Sequence, residues 1–99
     1  MRRVSNRRNA AWGRSVAEQA ILVRYFAAAA EAAGCTEESV RIGAGADLGA
    51  LRSVLVERHG PKMERVLTVA AFLQDDELTR DLALVAASRV DVLPPFAGG

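Results

Sequence analysis

The sequence predicts an α+β fold in which a mixed sheet of four or five strands is packed on one main helix. Three observations lead to this prediction. Segments rich in β-branched residues lie near both ends of the predicted domain. An apolar stripe with helical spacing lies between them, and turn residues separate the segments. With 99 residues, 51% of them hydrophobic, the chain has the size of one domain with a modest core.

The predicted domain, residues 20–93, begins with a strand, a short helix and a second strand. Residues 20–26 (AILVRYF) are β-branched and aromatic, as is typical of a strand. One face of this strand carries Ile21, Val23 and Tyr25, and the other face carries Leu22, Arg24 and Phe26. Residues 27–33 (AAAAEAA) have the highest helix propensity in the chain, and Gly34 is placed to end that helix. Residues 38–42 alternate, which predicts a strand antiparallel to the first.

The main helix is predicted at residues 48–59. Asp47 can accept hydrogen bonds from the free N–H groups of the first helical turn. Gly60 and Pro61 are predicted to stop the helix. Its apolar residues recur at helical spacing and need a sheet to cover them; they are Leu48, Leu51, Val54 and Leu55.

The second half of the domain is predicted to be strand-rich. Residues 66–73 are apolar enough for a buried strand, and residues 74–77 are a polar turn. A short edge strand is predicted within residues 78–84. Residues 89–93 alternate again, and the prolines that follow end this final strand.

The sequence ends in an extended, flexible tail, residues 94–99, which is the most informative segment for function. Its residues are Pro94, Pro95, Phe96, Ala97, Gly98 and Gly99. The two prolines remove two N–H donors and direct the chain outwards. A Gly-Gly terminus can enter a channel too narrow for side chains. Six residues at about 3.3 Å each reach roughly 20 Å, which is enough to enter a partner's active site. The Gly99 carboxylate is therefore the expected reactive group. Phe96 is expected to be an anchor in a partner's pocket.

The first nineteen residues form a basic extension that is predicted to be disordered. Their side chains sum to +4, whereas the remainder of the chain sums to −3. Apolar periodicity is almost absent from this segment. Three interpretations remain open: a contact with nucleic acid or another acidic surface, an Arg-rich targeting peptide, or an upstream start that the cell does not use. The missing basic face of the domain argues against nucleic-acid binding.

Several classes of chemistry are excluded by composition and spacing. The only cysteine, Cys35, cannot form an intramolecular disulfide, which favours a reducing cytoplasm. Cys35 and His59 do not have the paired spacing of a zinc site, so no metal is expected. Residues 43–45 (GAG) lack the Lys and Ser/Thr of a phosphate-binding loop. No apolar run is long enough to cross a bilayer.

The motifs VRYFAAAAEAAG (residues 23–34), ADLGALRSVL (46–55) and RVDVLPPFAGG (89–99) resemble the family of molybdopterin synthase small subunits. The resemblance covers residues 20–99, and its most specific part is the strand that runs into PPFAGG. It implies a ubiquitin-like β-grasp fold. One departure is the turn before the last strand, which often reads Gly-Asp in the family but is Ala86, Ala87, Ser88 here.

The resemblance implies a sulfur carrier with no permanently bound cofactor. A partner adenylating and sulfur-loading enzyme would use ATP to convert Gly99 to an acyl adenylate and then to a thiocarboxylate. The carrier would dock with the large synthase subunit, where the active site is expected, and donate sulfur to cyclic pyranopterin monophosphate. The expected state is a hetero-oligomer, with residues 94–98 held by the partner.

Other functions remain open on the residues alone. A Gly-Gly end also belongs to carriers for thiamine, cysteine or tRNA thiolation, and to ubiquitin-like modifiers of other proteins. A plain interaction module is the last alternative. The sheet face that meets a partner is not determined, with Leu22 and Phe26 as one candidate and Leu93 as another.

Overall fold

The computed structural model describes residues 17–95, and residues 1–16 and 96–99 lie outside the described residues. The elements in chain order are β1 (Glu18–Tyr25), α1 (Ala28–Ala33), β2 (Glu37–Gly43), α2 (Leu48–His59), α3 (Pro61–Val69), β3 (Ala71–Gln74), β4 (Glu77–Thr79) and β5 (Arg89–Leu93). The predicted α+β class is confirmed. Strand β1 begins two residues before the predicted domain boundary, so the prediction of disorder is wrong for Glu18 and Gln19. Residues 1–16 of the predicted basic extension lie outside the described residues.

The five strands form one mixed sheet in the order β2-β1-β5-β3-β4. Strands β1 and β2 are antiparallel, as predicted, and β1 and β5 are parallel. Strand β5 is also antiparallel to β3, which in turn pairs with β4. The last strand in sequence therefore occupies the centre of the sheet.

The helices cover one face of the sheet, and the opposite face, here called the open face, has no helix on it. Ile21, Val23 and Tyr25 point into the core, as the alternation in β1 predicts. Leu22 and Phe26 are 36% and 37% exposed, so they belong to the open face and not to the core. The helices contribute the other half of the core, chiefly Ala29, Leu48, Leu51, Leu55, Met63 and Leu67.

Local signals explain the ends of α1 and α2. Gly34 follows α1 in the left-handed conformation, at φ 76°, and its N–H donates to the Ala30 carbonyl. The Asp47 carboxylate accepts from the Ala50 N–H at 2.8 Å at the start of α2. The N–H groups of Leu48 and Gly49, in the same turn, donate to the backbone carbonyls of Leu84 and Leu82.

The prediction of a strand over residues 66–73 is wrong for its first half. Pro61 stops α2 but also begins α3, because the first position of a helix needs no N–H donor and suits the fixed φ of proline. Met63 and Leu67, one helical turn apart, are buried in the core. The strand occupies only Ala71–Gln74. Three helices therefore cover the sheet, one more than the short helix and the main helix that the sequence predicts.

The hairpin between β3 and β4 contains the predicted polar turn. Asp75 and Asp76 both have positive φ, as the two central residues of a tight hairpin require. The predicted edge strand forms at Glu77–Thr79. Buried Gln74 fixes the loop that follows, because its side-chain amide donates to the Val85 carbonyl at 3.0 Å and accepts from the Ala87 N–H at 2.8 Å.

Replacing Leu51 by alanine tests the position of the core. Leu51 is fully buried between α2 and the sheet, so the cavity left by Leu51→Ala should lower the free energy of unfolding by about 2–5 kcal/mol. Chemical denaturation measures this change. In the matched control Leu78→Ala, where Leu78 is 65% exposed, the loss should stay below about 1 kcal/mol. Equal losses in the two variants would contradict the packing described here.

Candidate functional site

The predicted tail leaves the domain from the end of its central strand. We call this edge of the sheet the exit end. Here β5 finishes beside Tyr25 of β1 and Ala71 of β3. Pro94 is buried and Pro95 is exposed, so the packed domain continues through Pro94. The remaining predicted tail residues lie outside the described residues: Phe96, Ala97, Gly98 and Gly99.

Covalent geometry limits where a partner can act on Gly99. Four residues follow Pro95 in the sequence, and at about 3.3 Å each they span at most roughly 13 Å. If Gly99 is the residue on which a partner acts, the reacting atom of that partner lies within this distance of Pro95. Such a partner would meet the domain at the exit end, either on the open face or on the helical face.

A row of five side chains crosses the open face near the exit end. Strand pairing places Arg24 of β1 between Glu37 of β2 and Asp91 of β5, and Leu73 and Leu78 continue the row on β3 and β4. The Arg24 guanidinium donates from Nε to Asp91 Oδ1 and from Nη2 to Asp91 Oδ2, each at 2.9 Å. In this row the bidentate ion pair lies between charged Glu37 on one side and the apolar Leu73 and Leu78 on the other.

The ion pair is buried on one side and exposed on the other. The Asp91 side chain is 6% exposed, whereas that of Arg24 is 38% exposed. The hydrogen bonds from Arg24 hold the pKa of Asp91 below its usual range, although burial opposes this, and they raise the pKa of Arg24. The guanidinium carbon also lies 5.5 Å from the centre of the Phe26 ring. Arg24 is therefore fixed in place by Asp91 and Phe26.

A second polar cluster lies on the helical face at the same end of the sheet. Glu38 of β2 accepts from the Tyr25 hydroxyl at 2.5 Å and from Arg58 Nη1 at 2.9 Å, and His59 Nε2 lies 2.5 Å from it. Burial raises the pKa of Glu38, but these hydrogen bonds outweigh burial and the net pKa is lowered. Burial and the Glu38 acceptor raise the pKa of Tyr25. The cluster joins β1, β2 and the end of α2.

A shallow groove of about 400 Å³ lies between these two groups of residues. Ala27, which lines it, has φ 52° and ψ −127°, a conformation that costs a residue with a Cβ free energy and that recurs at functional sites. The other lining residues are Arg24, Tyr25, Phe26, Ala30, Thr36 and Glu37. The YFAAA junction between β1 and α1 is therefore part of the surface around the exit end.

The polar cluster around Glu38 is held together by hydrogen bonds between its own side chains. The Glu38 carboxylate is hydrogen-bonded to Tyr25, Arg58 and His59, so this cluster supports the fold. Within residues 17–95 no group of three or more His, Cys, Asp or Glu side chains is placed to hold a metal ion. Cys35 is half-buried against the core. No helix of the described part is long and apolar enough to cross a bilayer.

Some of these groups are predicted by the sequence and others are not. Leu22, Phe26 and Leu93, which were candidates for a partner face, all lie on the open face or at its edge. The pairing of Arg24 with Asp91 was missed. Alternation puts both residues on the outward side of their strands, so the pair can be found once β1 and β5 are taken as neighbours.

Three comparisons with known proteins extend this description. A family model described as the ThiS family matches residues 23–99. The chain is 32% identical over 82 residues to the "Molybdopterin synthase sulfur carrier subunit" of Chlamydomonas reinhardtii, a match that covers 80% of this chain and 98% of the relative.

Solved structures agree with the β-grasp interpretation of the fold. The crystal structure of SAMP1 from Haloferax volcanii, a small archaeal modifier protein, superposes with a TM-score of 0.69 at 27% identity, covering 81% of this chain and 99% of that one. Subunits 1 and 2 of the molybdopterin-converting factor from Helicobacter pylori form a solved complex. One of its chains superposes with a TM-score of 0.55 at 29% identity, covering 82% of this chain and all of that one.

The Glu38 cluster predicts a pH-dependent stability. Glu38→Gln removes a charged acceptor, so the free energy of unfolding at pH 7 should fall by about 1–3 kcal/mol. Because the folded-state pKa of Glu38 lies below its ordinary value of 4.5, this stabilisation exists above that pH and is lost as pH falls through the folded-state pKa. The difference in the free energy of unfolding between wild type and Glu38→Gln should become smaller below about pH 4.5.

Urea denaturation from pH 7 to pH 3 measures this effect. The neighbouring Glu37 is exposed and belongs to no described ion pair within 4 Å, so Glu37→Gln is the matched control and should change stability by less than about 0.5 kcal/mol. A gap that stays constant over this pH range would show that the Glu38 charge does not support the fold.

Proposed function

The chain belongs to the ThiS family, and from this membership we propose that it is the sulfur carrier subunit of a molybdopterin synthase, with Gly99 as the carrier residue. The match to the Chlamydomonas sulfur carrier over most of both chains supports this proposal. The single structural observation that carries it is the central position of β5, the strand that immediately precedes Pro94 and Pro95.

The proposed chemistry uses the main chain of Gly99 and no side chain of this protein. A carboxylate is a poor acyl donor, so an adenylating enzyme first joins it to AMP from ATP and releases pyrophosphate. Sulfur at the oxidation level of sulfide then displaces AMP and leaves a thiocarboxylate. A thioacid is more acidic than a thiol, so its sulfur is an anionic nucleophile at neutral pH without help from a base.

The proposed acceptor lies in the large synthase subunit. There the Gly99 sulfur would attack a side-chain carbon of cyclic pyranopterin monophosphate and displace an oxygen substituent of that carbon, which gives a thioester between Gly99 and the pterin. Water would then cleave the acyl–sulfur bond, which leaves the sulfur on the pterin and restores the Gly99 carboxylate for another round of loading. The Helicobacter complex of subunits 1 and 2 supports such a partner. Because the tail beyond Pro95 spans at most roughly 13 Å, the large subunit would contact the exit end, with Pro94 and Pro95 at the rim and Phe96, Ala97 and Gly98 inside its channel.

A second function has one observation in its favour. SAMP1 is a small archaeal modifier protein, and its fold is similar to that of this chain. In that case Gly99 would form isopeptide bonds with lysines of other proteins. Conjugates in cell extracts would indicate this function. Complementation of auxotrophs for molybdenum cofactor and for thiamine would separate the molybdopterin pathway from other sulfur carriers.

Sulfur loading is the direct test of the proposal. The protein is incubated with ATP, a sulfide source and the adenylating enzyme of molybdopterin synthesis, and its intact mass is measured. We expect the mass to increase by the difference between sulfur and oxygen, with the change located at Gly99 by fragmentation. A variant that stops at Ala97 should gain nothing. Loading of that truncated variant, or no loading of the intact chain, would refute the proposal.

A single residue added after Gly99 should abolish sulfur transfer, because the reacting carbonyl then lies within an amide bond. Circular dichroism and thermal melting should remain unchanged, since the addition lies beyond the packed domain. The matched control carries the same residue before Met1 and should retain full molybdopterin synthesis with the large subunit. Activity in the C-terminally extended variant would show that Gly99 does not need a free carboxylate.

A further inference from the structure

The Arg24–Asp91 ion pair lies on the open face near the exit end, which is one of the two faces accessible to a partner of that end. Phe26 and Leu93 follow the paired residues of β1 and β5, and Leu73 and Leu78 lie beyond Asp91 in the same row. Leu22, Phe26 and Leu78 are exposed. The apolar neighbours of the ion pair are Phe26, Leu93 and Leu73, and its charged neighbours are Glu37 and Arg89.

Asp91 uses only one edge of the guanidinium. Its two oxygens accept from Nε and Nη2, at 2.9 Å each. Arginine has five N–H donors in a planar fork, so the other edge, formed by Nη1 and the second hydrogen of Nη2, stays available. Within residues 17–95, Nη1 donates no hydrogen bond to the protein.

Docking would bury those donors. In the free protein the Arg24 side chain is 38% exposed, so water satisfies the unused edge. A partner that covers the open face removes this water, and buried charged donors without acceptors weaken binding strongly. A partner with a purely apolar surface is therefore disfavoured. A carboxylate fits the free edge best, because two parallel N–H···O bonds match its geometry.

We propose that Arg24, held by Asp91, is a specificity-determining residue: the large subunit that docks on the open face places a carboxylate against the free edge of the guanidinium. This inference rests on the proposed function. The ion pair positions Arg24 before binding, so little side-chain freedom is lost when the partner arrives. The partner's matching surface is apolar around one Asp or Glu.

Glu37 is the only competitor for the free edge in the row. It is the cross-strand neighbour of Arg24 and raises its pKa, but it is exposed and forms no described ion pair with Arg24 within 4 Å. Binding of the partner's carboxylate places it near Glu37, which opposes binding slightly. Glu37→Gln should therefore leave affinity unchanged or improve it by up to about threefold.

The test is the dissociation constant between the full chain and the molybdopterin synthase large subunit of the same organism, measured by calorimetry at low and at physiological salt. In the double variant Arg24→Met/Asp91→Leu the pair becomes apolar. We expect its dissociation constant to rise about 10- to 100-fold, as for the loss of hydrogen bonds to a charged group. The salt dependence of binding should become shallower, a change that altered packing alone would not cause.

Two further variants control this experiment. Arg41→Met removes another arginine of the open face that lies away from the exit end, and its dissociation constant should stay within threefold of wild type. Arg24→Lys keeps the charge and the fold but loses the planar fork, so its dissociation constant should rise about 5- to 10-fold. Thermal melting checks that each variant is folded.

The outcomes separate this inference from the proposed function. If the wild type does not bind the large subunit, the proposed function and the inference both fail. If the wild type binds and the double variant binds within threefold of it, only the inference fails. Equal weakening by Arg41→Met and by the double variant would also overturn the inference, because it would indicate a general charge effect.

Discussion

The pairing of the last strand with two neighbours is the constraint on which the rest of this structure depends. Strand β5 is hydrogen-bonded to β1 on one side and to β3 on the other, and Val90 and Val92 are fully buried under the helices. Its position and direction are therefore determined along its whole length. A segment that follows such a strand begins from a fixed point. The described structure therefore sets the point from which the residues after Pro95 start.

The fold class and most elements could be predicted because local signals and tertiary packing agree. In α2 the Asp47 cap, the apolar spacing and Gly60 all indicate the same helix. The segment around Val66 was assigned wrongly because a short apolar run fits a buried strand and a helix equally well. Pro61 was counted only as the end of one helix, although proline is equally suited to begin the next.

The candidate site was predictable as a segment but not as a surface. Proline and glycine restrict or free the backbone wherever they occur, so the PPFAGG motif can be interpreted without knowledge of its neighbours. The contacts of Arg24 and Glu38 depend on strand order and register, which link residues 67 and 21 positions apart in sequence. Such long-range pairs follow from topology, and no local pattern in the sequence encodes them.

The central place of β5 also affects how the protein is made. Residues 89–93 are synthesised after every other strand. Until they leave the ribosome, β1 and β3 each lack the strand that pairs with one of their edges, so the backbone N–H and C=O groups of those edges are unpaired. The sheet can close only after these residues are available to pair with β1 and β3. A chain that stalls before residue 89 lacks its central strand and exposes the unpaired edges of β1 and β3 to proteases.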